Sequence, residues 1–236
     1  MKLKKIASLA LAGIMAVSML AGCKDGGNGN SGSSSSGNTS TASGYSTVLK
    51  NNLSSEVTNK KYISFADNAN DEAALRAALE NVSDRGIDIT LLQNNNLKNI
   101  YTWNTDGFEE MIADFVKEAG FDDPSKDIKP GDLSMSWYTN DAYRNYNVKD
   151  GTLYVIDGSV GIEEAVKRVA AKVEDSLAAL AENSGKGAGN AGLKNVYDYS
   201  YVVSVSVVNK PTNSITWQNA SINVIAVTVT RTVSNG

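Results

Sequence analysis

Tyr197-Asp198-Tyr199-Ser200-Tyr201-Val202-Val203-Ser204-Val205-Ser206-Val207 is the stretch that decides the fold. Its odd positions read Tyr, Tyr, Tyr, Val, Val, Val, while the even positions carry Asp198, Ser200, Val202, Ser204 and Ser206. A period of two with one apolar face and one largely polar face predicts an antiparallel strand with one wet side. Asn209-Lys210-Pro211-Thr212-Asn213 reads as the loop that follows. A second long strand is expected from about Ile215 to Val233, and its apolar phase slips near Val224-Ile225, which predicts a bulge or break there. Sequential long strands joined by a short loop pair as a hairpin, so the pair forms the spine of a sheet.

Working back along the chain, helical spacing takes over. Ile162, Val166, Val169, Val173, Leu177 and Leu180 share one face of a helix that starts after Ser159 and runs to about Glu182. Phe108, Met111, Ile112, Phe115, Val116 and Ala119 define a second, with Asp106 as cap, Glu109 three residues on, and Gly120 as stop. Ala74, Leu75, Ala78, Leu79 and Val82 define a third, from Asp71 to about Val82. Strands are expected at Tyr62–Phe65, Ile87–Leu92 and Leu133–Tyr138. Two more, Tyr143–Val148 and Thr152–Ile156, flank Lys149-Asp150-Gly151 as a hairpin turn. The predicted class is α+β: an antiparallel sheet with a long C-terminal hairpin and about three helices packed on it, against one face.

The N-terminal end has a different character. Lys2, Lys4 and Lys5 precede an almost unbroken apolar run from Ile6 to Leu20, shorter than the roughly 20 residues of a bilayer span and laid out as a secretory signal peptide. The run closes on Leu20-Ala21-Gly22-Cys23. Here the sequence resembles the bacterial lipoprotein family, whose lipobox sets a branched apolar residue and two small residues before an obligatory Cys. The resemblance covers residues 1–23 alone. It implies a diacylglyceryl group on the Cys23 thiol, cleavage before Cys23, acylation of the new amino group, and residence at the cell membrane on its extracytoplasmic face. Small side chains at Ala21 and Gly22 let a peptidase approach the backbone, and two or three acyl chains anchor stably where one is marginal.

Cys23 is followed by a segment from Lys24 to Gly44 built almost wholly of Gly, Ser, Asn and Thr. Such a composition buries too little apolar surface to offset its ordering entropy, so residues 23–44 read as a flexible tether. Its span is roughly 25 Å root-mean-square and about 70 Å when taut. The expected organisation is therefore a signal peptide at 1–22, a lipidated Cys and tether at 23–44, and one extracytoplasmic domain at 45–236.

Composition narrows the chemistry. The chain has 236 residues, no His and one Cys. That excludes Ser-His-Asp and Cys-His catalysis, the HExxH zinc motif and an intramolecular disulfide. Loss of the signal peptide removes three Lys and no acid, moving the formal charge from −4 to −7, which argues against nucleic acid as a partner. Gly187-Ala188-Gly189-Asn190-Ala191-Gly192 matches a dinucleotide fingerprint in letters, but it follows a helix and precedes a strand, so it reads as a loop and no nucleotide is expected. No Lys has a Ser three residues before it, which removes the SxxK signature. No cofactor and no metal are expected.

Asp67-Asn68-Ala69-Asn70-Asp71-Glu72 is dense in oxygen ligands but lacks the EF-hand register, and cap and turn roles explain it. Glu109-Glu110 and Glu163-Glu164 fall in the first turns of predicted helices, where the macrodipole favours acids. The constellation that leans towards function is Trp137-Tyr138-Thr139-Asn140-Asp141-Ala142-Tyr143-Arg144-Asn145-Tyr146-Asn147. The candidate ligand contacts are Trp137, Tyr138, Asn140, Asp141, Tyr143, Arg144 and Tyr146. Flat rings beside directional hydrogen-bonding groups suit sugars or peptides. The same pattern also suits a strand, turn and strand whose rings pair across the sheet. Tyr101-Thr102-Trp103-Asn104 is a possible extension of that surface. Three function classes follow: a surface-anchored binding or accessory lipoprotein with a cell-wall or glycan ligand, a carboxylate-only glycan hydrolase, and an assembly module that pairs an edge of the C-terminal sheet with a partner.

Overall fold

The computed structural model describes residues 44–80, 82, 95–100, 108–121, 133, 145–185, 196–214 and 217–235. All of them belong to one unit, Thr41–Gly236. In chain order the elements are α1 (Tyr45–Asn51), α2 (Ser55–Thr58), β1 (Ile63–Phe65), α3 (Ala69–Glu80), β2 (Lys98–Asn99), α4 (Glu109–Glu118), β3 (Val148–Asp157), α5 (Ile162–Ala178), β4 (Tyr197–Ser214) and β5 (Trp217–Asn235). The five strands form one sheet in the order β1-β4-β5-β3-β2.

The α+β class and the long C-terminal hairpin are present, with β4 and β5 antiparallel along almost their whole length. The sheet is mixed, however, because β1 lies parallel to β4. The expected loop at 209–213 is instead strand, which continues to Ser214. Pro211 is tolerated because its partner Ser221 directs its carbonyl the other way, to the Gly158 N–H at 2.8 Å. The missing N–H of Pro211 therefore faces the outer side of β4 and not the ladder.

Helices cover both faces of the sheet, where one covered face was expected. Leu49 of α1, Val57 of α2 and the apolar side of α5 pack with Tyr199, Tyr201, Val203, Val205, Val207, Ile225, Val227 and Val229. Ala74, Leu75, Ala78 and Leu79 of α3 and Met111 and Phe115 of α4 pack with Leu153, Val155, Ile222, Val224 and Ala226. This explains the phase slip in β5. Val224 faces one layer of helices and Ile225 the other, and the register with β4 runs through both without a bulge. The one irregularity lies between Thr212 and Ser214. Likewise the polar side of β4 is wet only at its start: Asp198, Ser200 and Val202 are exposed, whereas Ser204 and Ser206 are buried.

Lys149-Asp150-Gly151 is not a turn. All three residues lie within β3, paired with Thr230, Val229 and Thr228. Gly151 serves a close approach: a Cβ there would lie 2.6 Å from the Phe121 ring and 2.9 Å from the Val227 carbonyl. The part of the expected 143–148 strand that is described, Asn145–Asn147, is turn and bend, and the strand begins at Val148. α4 begins at Glu109 with Phe108 at the cap position and no side-chain cap; burial of the Phe108 ring fixes that start. Gly120 ends the helix in the left-handed conformation, φ 68°. The strand expected at 87–92 lies outside the described residues, as does that expected at 133–138 except for Leu133, which is buried and in a turn.

Candidate functional site

Of the aromatic segment, Trp137, Tyr138, Asn140, Asp141, Tyr143 and Arg144 lie outside the described residues, as do Tyr101–Asn104, Cys23 and the tether as far as residue 43. Tyr146 and Asn147 are described, both exposed, immediately before β3. Both are held from β5, Tyr146 through its backbone and Asn147 through its side chain. Arg231 Nη2 donates to the Tyr146 carbonyl at 3.0 Å, and the Val233 N–H donates to Asn147 Oδ1 at 2.8 Å.

Arg231 is fully buried and is the one charged residue of β5. It stands in a row across four strands, Ile63, Tyr201, Arg231 and Val148. Its guanidinium lies 4.4 Å over the Tyr199 ring, a cation–π geometry, and beside the Tyr201 phenol. The Tyr201 hydroxyl donates to the Ala181 carbonyl and that of Tyr62 to Leu180. With Lys60 donating to the Ala178 carbonyl, these groups satisfy the end of α5, where cations are favoured.

Burial raises the Tyr201 phenol well above its ordinary value, against the opposing pull of Arg231. Tyr154 is raised more mildly, also by burial. A raised phenol contributes stability that is present below about pH 10, where the unfolded chain's tyrosines ionise, and that is lost as pH climbs towards the folded value. Stability should therefore fall from about pH 10 upward. In the folded protein at that pH, absorbance at 295 nm should show Tyr154 and Tyr201 still un-ionised. Ionisation of both before unfolding would contradict this burial.

A second polar centre lies under α3 and α4. Asp71 is fully buried; its Oδ1 accepts from Lys149 Nζ at 2.5 Å and its Oδ2 from the Thr228 hydroxyl at 2.7 Å. Lys149 also donates to the Ala119 carbonyl at the end of α4, at 2.6 Å. One ion pair thus joins α3, α4, β3 and β5.

The oxygen-rich segment at 67–72 is accounted for by such bonds. Asp67 accepts from the Gly44 and Ser46 N–H groups at the start of α1, Asn68 Oδ1 accepts from Asn70 and Asp71, and Glu72 pairs with Arg76. Among the described residues no cluster of three or more acids or thiols could hold a metal. Glu109-Glu110 and Glu163-Glu164 occupy the first turns of α4 and α5. The Glu164 carboxyl is held below its usual range by the hydrogen bond from Arg168.

The outer edge of β4 is occupied along its first half. Tyr197 pairs with Ser184, Tyr199 donates to the Glu182 carbonyl, Tyr201 donates to that of Tyr62, Ala66 donates to that of Val203, and Val205 donates to Ser46 Oγ. Further along, Pro211 offers no N–H, a feature that discourages strand addition.

Sequence patterning missed Asp71, Lys149 and Arg231 as a group. A lone Arg in an otherwise uncharged β strand was the available signal for one of them. No protein family, curated protein or solved structure matches this chain.

Proposed function

We propose that this protein is a bacterial lipoprotein, held on the extracytoplasmic face of the cell membrane by lipid on Cys23. On this reading the domain acts as a non-enzymatic binding or accessory module, towards glycan or other cell-wall material within reach of its tether. The observation that carries the reading is the succession of Lys2-Lys4-Lys5, the apolar run, Leu20-Ala21-Gly22-Cys23 and the Gly/Ser/Asn segment after it. Each part has a separate physical reason: export, cleavage, thioether formation and stand-off. The adjacent acids Glu109-Glu110 and Glu163-Glu164, which could in principle serve as general acid and base, sit in the first turns of α4 and α5, where the macrodipole accounts for them, and this favours binding over catalysis.

The test is fractionation of cells making the wild-type chain or Cys23→Ser. The wild type should sediment with membranes and enter the detergent phase on Triton X-114 partition. Cys23→Ser should either lose that partition or remain as an uncleaved precursor of higher mass that still carries its apolar run, so the two chains are compared by mass as well. Equal partition of two chains of the same processed length, without added lipid mass on the wild type, would refute the anchor.

A further inference from the structure

Two helices open the described domain, and neither is long enough to hold itself: α1 has seven residues and α2 four. Gly44, at the cap position of α1 in the left-handed conformation, supplies no side-chain cap. The cap comes instead from beyond β1 in the chain, where Asp67 accepts from the Gly44 N–H at 2.6 Å and the Ser46 N–H at 3.0 Å. Ser46 is buried, and its Oγ accepts from the Val205 N–H of β4 at 2.9 Å. The Ser54 N–H donates to Glu174 of α5, and Leu49 and Val57 are the apolar side chains these helices bury fully. The attachment changes at Lys60. Its ammonium donates to the Ala178 and Leu180 carbonyls at the end of α5, the Tyr62 hydroxyl donates to Leu180 as well, and from Ile63 the chain lies in the sheet ladder.

We propose that residues 44–59 form a strap, latched by Asp67 where the proposed tether meets the domain, that peels under tension while the sheet stays folded. The proposal rests on the tether reading above: a chain fixed to a membrane at one end, with its domain held on wall material, transmits any pull to Gly44. The bond from the Gly44 N–H to Asp67 lies at the head of that path, and those of Ser46 and Ser54 follow it along the chain. Bonds loaded in succession yield singly, whereas the β4–β5 ladder shares a load among many. A short segment with few buried apolar side chains belongs to the low-stability end of a domain. Its release adds up to about 55 Å of extended chain, a reserve comparable with the taut tether of about 70 Å.

The test is single-molecule pulling of the chain from Cys23 to Gly236, made without lipid and held by the Cys23 thiol and a C-terminal tag. The wild type should yield in two events: a first step of up to about 55 Å, then a larger one as the sheet unfolds. Asp67→Ala should speed the first event about tenfold at a given load and leave the second unchanged. Asp67→Asn, which keeps one acceptor oxygen, should fall between the two. A single event in the wild type overturns the strap. A first event equally fast in all three chains overturns the latch. Loss of the second event in both variants overturns the proposal too, by making Asp67 a support of the whole fold. Absence of lipid from Cys23 in cells would overturn the tether reading while leaving the pulling results in place, so the two failures are distinct.

Discussion

Asp71→Ala is expected to lower the free energy of unfolding by about 3–5 kcal/mol, because it leaves the Lys149 ammonium inside the protein without its counter-charge. The carboxylate is fully buried and Lys149 nearly so, and the pair is not the screened surface contact that contributes little. Lys149→Met should cost a similar amount by stranding the carboxylate, whose remaining partner would be the Thr228 hydroxyl. The double variant Asp71→Leu with Lys149→Met should recover most of the loss, since removing both charges removes both desolvation costs. Urea unfolding of the three variants measures this directly. Single-variant losses under about 1 kcal/mol would mean that the pair behaves as a solvated one.

Gly158→Ala should be nearly as damaging, by a different route. Its Cβ would lie 1.9 Å from Ser221 Oγ and 2.7 Å from the Ser221 carbonyl carbon and oxygen, while the Gly158 N–H must still reach that carbonyl. Overpacking costs about 1–3 kcal/mol where side chains can yield, and here backbone atoms of β5 must move as well. The distinguishing measurement is Gly158→Ala combined with Ser221→Ala. Removing the hydroxyl should restore little, because the two backbone contacts remain. A loss within about 0.5 kcal/mol for Gly158→Ala alone would show that the β3 exit is looser than described.

Local patterning identified the elements more faithfully than it did their surroundings. Period two in Tyr197–Val207 and period 3.6 in the segments of α3, α4 and α5 depend only on which side chains share a face, and those elements are present. What covered each face was not encoded locally. Ser204 and Ser206 look solvent-facing because hydroxyls suit water, yet they are small enough to be buried on the α3 and α4 side of the sheet. Val224 and Ile225 look like a slip in phase because a strand covered on both faces has no polar face to keep time. Gly151 carried a turn signal, while its actual function is to admit the Phe121 ring. α1, α2 and β2 are too short for periodicity to register.

The proposed anchor motif and the buried polar residues divide in the same way. The proposed lipobox is legible because a peptidase and an acyl transfer would act on local sequence, whereas Asp71, Lys149 and Thr228 meet from positions 71, 149 and 228 only after the sheet has formed. Of the candidate ligand contacts chosen from composition, Tyr146 is the one that the described residues include, and its support from Arg231 comes from a strand 85 residues away.

The most direct test of the central claim is mass spectrometry of the mature N-terminus from the membrane fraction. The anchored-lipoprotein account predicts a first residue of Cys23 carrying diacylglyceryl on its sulfur, with residues 1–22 gone. An exported chain that begins elsewhere, or that retains an unmodified Cys23 thiol, would contradict it.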